Sequence, residues 1–170
     1  SLSYLSRTDW GCPEGQNSPS WPPQTTNVTH LVVHHAAGYG SAPYAPQVQA
    51  IWNQHANTQG WGDIGYNWVI DPDGALYQGR AWSGSNEEVI GAHACSCNSN
   101  KMGVCLLGDF TSSTPTAAAY NTLVALLGWK ACTFSIDPVS SSSGSIKACC
   151  PNSGCSCTNA TVNNIIGHRE

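Results

Sequence analysis

Thr29 to His35 is a run of β-branched and apolar residues that closes on paired histidines, and the segments around it limit what the chain can fold into. Such a run reads as a buried strand. Side chains alternate along a strand, so His34 shares a face with Val32 and His30 while His35 points the other way. Behind it, Val48, Ile51, Trp52 and His55 recur at i, i+3, i+4 and i+7, one face of a helix, with Gly60 as its stop. Ile64 to Ile70 alternates again and puts Tyr66, Trp68 and Ile70 on one face. Asp71-Pro72-Asp73-Gly74 is a turn, and Ala75 to Gly79 is its return strand. Gly103 to Gly108 is a short apolar strand. Thr114-Pro115 reads as a helix N-cap with proline behind it, opening a helix that ends near Cys132. Residues 133–160 form a Ser-, Gly- and Cys-rich insertion, and Val162 to Gly167 leads into His168. Strands interleaved with helices imply an α/β fold, a single domain with a central mixed β-sheet flanked by helices. Residues 1–28, rich in Pro, Ser and aromatics, are expected as an extended segment packing on a domain of residues 29–170.

Composition narrows the partners. Six basic and ten acidic residues leave a net charge of −4, and no two basic residues are adjacent, so the basic footprint of a nucleic-acid binder is missing. Polarity comes from Ser, Thr, Asn and Gln, which suits a neutral, hydrogen-bonding ligand such as sugar or peptide. No apolar stretch approaches the length of a membrane span. Nine cysteines in so short a chain point to an oxidising location: secreted, periplasmic or at the cell surface. The run Cys149, Cys150, Cys155 and Cys157 is either a disulfide-stapled loop or a small metal cluster, and the exported character favours the first: these cysteines are expected to be mostly oxidised and to pin the insertion. Cys105, in an apolar strand, is either bridged or a buried thiol.

His34 ends one apolar run and His168 follows another. Two histidines from different strands can meet at a sheet edge and share a Zn²⁺, which in catalytic sites takes three protein ligands and keeps one position open. Ordinary strand-end histidines would give the same pattern.

The motifs carry more when taken together. Leu31-Val32-Val33-His34-His35, Gly60-Trp61-Gly62-Asp63-Ile64-Gly65-Tyr66-Asn67-Trp68-Val69-Ile70, Gly79-Arg80-Ala81-Trp82, Gly91-Ala92-His93, Met102-Gly103-Val104-Cys105-Leu106-Leu107-Gly108 and Gly167-His168-Arg169-Glu170 follow in this order. The series resembles the peptidoglycan recognition proteins, relatives of the type-2 N-acetylmuramoyl-L-alanine amidases and of amidase-type phage lysozymes. The resemblance spans about residue 5 to 170, with Gly60 to Ile70 its most specific part. It implies zinc ligands at His34 and His168 and a catalytic tyrosine at Tyr66. It implies substrate contacts at His55, His93 and Arg80, and Trp82 is the expected sugar-stacking aromatic. Trp61 and Trp68 are expected in the core. His55 lies on an apolar helix face near the C-terminus, where the helix dipole favours its charged form.

The family's third ligand, usually Cys, lies eight residues after the second His and has no counterpart in these residues. It is expected from a following segment, with Asp63 and Glu170 as alternatives within the chain. The Cys-rich insertion is also outside the family pattern. The implied reaction is hydrolysis of the amide between N-acetylmuramic acid and L-Ala of bacterial peptidoglycan. Two alternatives are a recognition module that binds muropeptide without cutting it, and a disulfide-rigidified structural subunit of a surface assembly. A Gly-x-Ser-x-Gly elbow is absent. The adjacent Glu87 and Glu88 do not supply the two facing carboxylates of a glycosidase.

Overall fold

A computed structural model describes residues 2–13, 22–80, 88–150 and 154–167. The run of β-branched residues forms β2 (His30–Ala36), after a two-residue β1 (Thr25–Thr26). Helix α1 (Ala45–Asn53) follows and continues as a π-helical turn over Gln54–Thr58. Then come β3 (Trp68–Ile70), β4 (Leu76–Gln78), β5 (Glu88–Val89), β6 (Lys101–Leu107), α2 (Ala117–Phe134), β7 (Ser141–Cys150), β8 (Gly154–Asn163) and β9 (Ile165–Gly167). Five strands make one mixed sheet in the order β4-β3-β6-β2-β9. β2 runs parallel to β6 and β9, β3 parallel to β6, and β4 antiparallel to β3. This is the expected α/β architecture.

The sheet divides the core into two layers. On one side Val48, Ile51 and Trp52 of α1 pack with Val69, Tyr77, Cys105 and Leu107. On the other, Ala119, Leu126 and Ala131 of α2 pack with Leu31, Trp68, Ile70, Met102, Val104 and Leu106. Both faces of the central strands are therefore covered, and β6 is buried at every position, as expected of strands in a parallel arrangement.

Several local expectations are corrected. The segment from Ile64 becomes a strand only at Trp68. Turns around Gly60 and Gly62, both at positive φ, hold the chain out of the ladder before that. Tyr66 therefore emerges with the α1 layer while Trp68 and Ile70 face α2. Helix α2 is capped by Thr116 rather than Thr114: its side chain accepts from the Ala119 N–H at 3.1 Å, and Ala117-Ala118-Ala119 suits a first turn. Within the segment read as an extended arm, residues 7–11 form turns. Trp10 N–H donates to Ser6 O and Cys12 N–H to Arg7 O, which turns the Trp10 ring into the α1 core layer. The Asp71–Gly74 turn forms as read, Gly74 N–H reaching Asp71 O at 2.9 Å with Gly74 at φ +85°.

The insertion is a hairpin, β7 pairing antiparallel with β8 along ten residues of each strand. Cys157 is oxidised as expected, bonded to Cys97, and Cys95 is also disulfide-bonded. The side chains of Cys149, Cys150 and Cys155 lie outside the described residues. Cys105 is a buried thiol. Among the described residues no helix is long and apolar enough to cross a membrane.

Candidate functional site

Two turns bring the site together. Gly65, between the α1 layer and β3, donates its N–H to His55 Nδ1 at 3.0 Å. Its carbonyl accepts from Ala92 N–H at 2.9 Å. A side chain there would drive into the Ala92 carbonyl, so glycine lets the His55 turn and the segment preceding His93 meet. Asn67 then joins three strands. Its backbone N–H donates to Gly103 O, its side-chain oxygen accepts from Gly103 N–H at 2.8 Å, and its amide donates to Val89 O at 2.7 Å.

The result is a group of five rings. His34 Nε2 and His93 Nδ1 share a hydrogen bond of 2.9 Å, their rings edge to face. Tyr66 sits between His34 and His55, with ring centroids 5.4 and 5.5 Å away. Trp61 lies 4.8 Å from the His55 ring. His34, Tyr66 and His93 are nearly buried, whereas Trp61 is 42% exposed. That corrects the expectation of a core tryptophan: Trp61 precedes β3 in a glycine turn and never enters the sheet.

His55 is neutral over most of the pH range. Burial first, and the Arg80 charge second, push its pKa down to about 4. The expected favour of the helix dipole is outweighed because desolvation of an imidazolium exceeds an end-of-helix effect. With Nδ1 accepting from Gly65, the proton of the neutral ring is on Nε2.

Arg80 is 6% exposed, and its guanidinium donates to backbone carbonyls: Ile64 at 2.9 Å, Ile90 and Trp61 at 3.1 Å, and Asp63 at 3.4 Å. Asp63, one alternative metal ligand, is fully buried and held by Arg7 Nη1 at 3.0 Å from both oxygens. That ion pair removes it from the ligand set. Glu170, His168 and Trp82 lie outside the described residues. β9 ends at Gly167 opposite Val33, one residue short of His34 in the register. Among the described residues no three His, Cys, Asp or Glu side chains gather to hold a metal. Glu88 is buried in an ion pair with Lys130, whose ammonium lies over the rings of Trp68 and Trp129.

The loop carrying His93 is fixed from two sides. Asn98 Oδ1 accepts from the N–H groups of His93 and Ala94, both at 2.8 Å, and Cys97 is tied to Cys157 of β8. The motifs held no sign of the Asn98 bracket, because an Asn five residues downstream has no periodic signature. Asn67 was within reach, since a polar residue in the middle of an apolar run must find partners when buried.

Comparison with known proteins shows the family and the fold. The family profile described as N-acetylmuramoyl-L-alanine amidase matches residues 24–170. Peptidoglycan-recognition protein SC2 of Drosophila melanogaster is 36% identical over 129 residues, 74% of this chain and 66% of that protein. The N-acetylmuramoyl-L-alanine amidase of Homo sapiens is 39% identical over 100 residues, 55% of this chain but 16% of that protein. Among solved structures, Drosophila PGRP-LB superposes with a TM-score of 0.68 at 25% identity, covering 99% of this chain and 84% of that one. A PGRP-LB mutant in complex with tracheal cytotoxin superposes at 0.67 with 28% identity, over 79% of this chain and 78% of that one. The chain belongs to the amidase-2 family, that of the peptidoglycan recognition proteins and the N-acetylmuramoyl-L-alanine amidases.

Proposed function

We propose that this domain binds the muramyl-peptide part of bacterial peptidoglycan and hydrolyses the amide between N-acetylmuramic acid and L-Ala. The observation that carries the reading is the single cluster of His34, His55, Tyr66 and His93, in which each ring contacts at least one other. Family membership and the relative solved with tracheal cytotoxin support it.

The chemistry of the donors fits zinc. With the proton of the shared hydrogen bond on His34 Nε2, His34 Nδ1 could ligate, and a hydrogen bond on the second nitrogen is what orients a metal-ligating imidazole. His34 and His168 would hold the ion, together with a third ligand that the described residues do not bring to them. Zinc, when bound, polarises the scissile carbonyl and makes water nucleophilic near neutral pH. Tyr66 donates its hydroxyl to the oxygen on which charge develops, an interaction worth roughly 3 kcal/mol when aligned. His55, neutral and protonated on Nε2, donates to a ligand carbonyl. Trp61 offers an exposed face beside it, and Trp82 remains the sequence-based stacking candidate. Disulfides at Cys95 and Cys97 support an exported location.

The test is digestion of peptidoglycan by the full-length protein, with zinc stoichiometry measured in parallel. Release of L-Ala-headed stem peptides is expected. Tyr66→Phe should slow release about a hundredfold and leave zinc content unchanged. Zinc-loaded protein that binds muropeptide but releases nothing from any peptidoglycan would refute hydrolysis and leave recognition by the same groove.

A further inference from the structure

We propose that Asn159 is the acceptor of an N-linked oligosaccharide, which covers the open edges of the β7–β8 hairpin. The proposal rests on the exported location and is independent of the chemistry in the groove. Asn159-Ala160-Thr161 is an Asn-x-Thr acceptor triplet without proline at its centre. It lies within β8, where the backbone is extended and side chains alternate. Asn159 and Thr161 are exposed, whereas Ala160 and Val162 are half-buried. Ala160 pairs with Gly144, where a Cβ would stand 2.8 Å from His30 Cε1. That side of the hairpin therefore rests on β2, and the Asn159 side turns away from it. Opposite Asn159 stands Ser145, which accepts from Lys101 Nζ at 2.9 Å. The contact leaves Asn159 itself exposed.

The hairpin lacks the usual protection of a sheet edge. β7 and β8 pair with each other and with no other described strand, so each presents a row of outward N–H and C=O groups. Such edges are ordinarily blunted by charge, proline or a bulge. Lys147 is the single charged residue in the two strands, and neither strand contains proline. A bulky, hydrated oligosaccharide near the middle of β8 does by its volume what those devices would do. In the transfer, Asn159 Nδ2 bonds to the anomeric carbon of an oligosaccharide carried on a polyprenyl diphosphate. The bond from that carbon to the diphosphate oxygen breaks, the diphosphate leaves on its lipid, and one Nδ2 proton is given up. Asn27-Val28-Thr29 is a second triplet of this type, and Asn27 is also exposed. It lies on a segment already tied into the domain: Thr29 Oγ1 meets His30 Nδ1 at 2.8 Å, and Asn27 O accepts from the Asn100 amide at 2.9 Å. No open edge needs cover there.

The experiment directs the full-length protein through the secretory pathway of cultured animal cells behind a cleavable leader. The folded product is treated with peptide N-glycanase in heavy-oxygen water, which converts a glycosylated Asn to labelled Asp, and is mapped by mass spectrometry. Neither this readout nor the next uses the groove, so both stand whether or not the protein digests peptidoglycan. Label on most copies of Asn159 is expected. Thr161→Ala and Asn159→Gln should each lose it and migrate faster by one glycan, either variant sufficing if the other does not fold, and Thr161→Ser should keep it. Trimming the glycan to its first sugar on the folded protein should shift it toward larger species in light scattering. Asn159 unlabelled in the wild type, label at Asn27 alone, or label at Asn159 that survives Thr161→Ala overturns the proposal. Unchanged self-association after trimming overturns the covering role.

Discussion

Burial and a neighbouring guanidinium hold His55 neutral down to about pH 4, which makes this residue a reporter of stability. Between pH 6.5 and 4 the unfolded chain takes up a proton that folded His55 refuses. Stability therefore declines as pH falls through that window and stops changing on this account below it, by on the order of 2 kcal/mol. His30, lowered by burial and then by Lys101, acts in the same direction. Urea unfolding at several pH values checks this: His55→Gln should flatten the acid limb, and an identical limb in the variant would contradict it. Gly103 gives a second test. A Cβ there would lie 2.5, 2.6 and 2.7 Å from Cδ2, Cγ and Nε2 of His93. Asn67 holds the Gly103 backbone at both N–H and C=O, so the ring must give way. Gly103→Ala should weaken muramyl tripeptide binding by more than about tenfold, with a stability loss of about 1–3 kcal/mol. Calorimetric titration and thermal melting measure the two effects separately.

At the scale of elements, the β7–β8 hairpin stands outside the five-stranded sheet and is joined to the rest by local devices. The Cys97–Cys157 bond closes a separation of 60 residues, a loop whose entropy in the unfolded chain corresponds to at most about 4 kcal/mol. The base is held by Ser142 Oγ on Asn164 at 2.6 Å and beside His30 Nε2 at 3.2 Å. Lys101 Nζ donates to Ser145 Oγ at 2.9 Å. Because the same disulfide anchors the His93 loop, Cys97→Ala/Cys157→Ala should lower both the denaturation midpoint and muramyl tripeptide affinity. Loss of stability with affinity intact would show that Asn98 alone positions His93.

For the molecule as a whole, the segment near the N-terminus is part of the domain core. Trp10 is 1% exposed, its indole N–H on Gln78 O at 2.8 Å. Arg7 neutralises an Asp63 that no solvent reaches. Removing one partner of a buried ion pair leaves an uncompensated charge, about 3–5 kcal/mol. Arg7→Met should therefore destabilise by that order, and the double change Arg7→Met/Asp63→Asn should recover much of it. Guanidinium denaturation of the three variants tests the coupling; additive losses would mean the pair is not a unit.

The order of elements was legible from residue types, because apolar periodicity reports which face of a segment meets a core. β2, α1, the Asp71–Gly74 turn and β6 all lie where that pattern puts them. His34, His55, Tyr66 and His93 were legible through motifs, and the fold brings them together. The face taken by Tyr66, the exposure of Trp61, the burial of Arg80 under the turn and the pairing of Cys97 with Cys157 were not. Each depends on how a segment without a repeating pattern crosses the rest of the chain. Local sequence specifies how much apolar surface a segment must bury. Which carbonyl meets a buried guanidinium, and which thiols meet across 60 residues, is decided only when the two sheet faces close over their helices, since those contacts satisfy desolvated polar groups that no neighbour in sequence can reach.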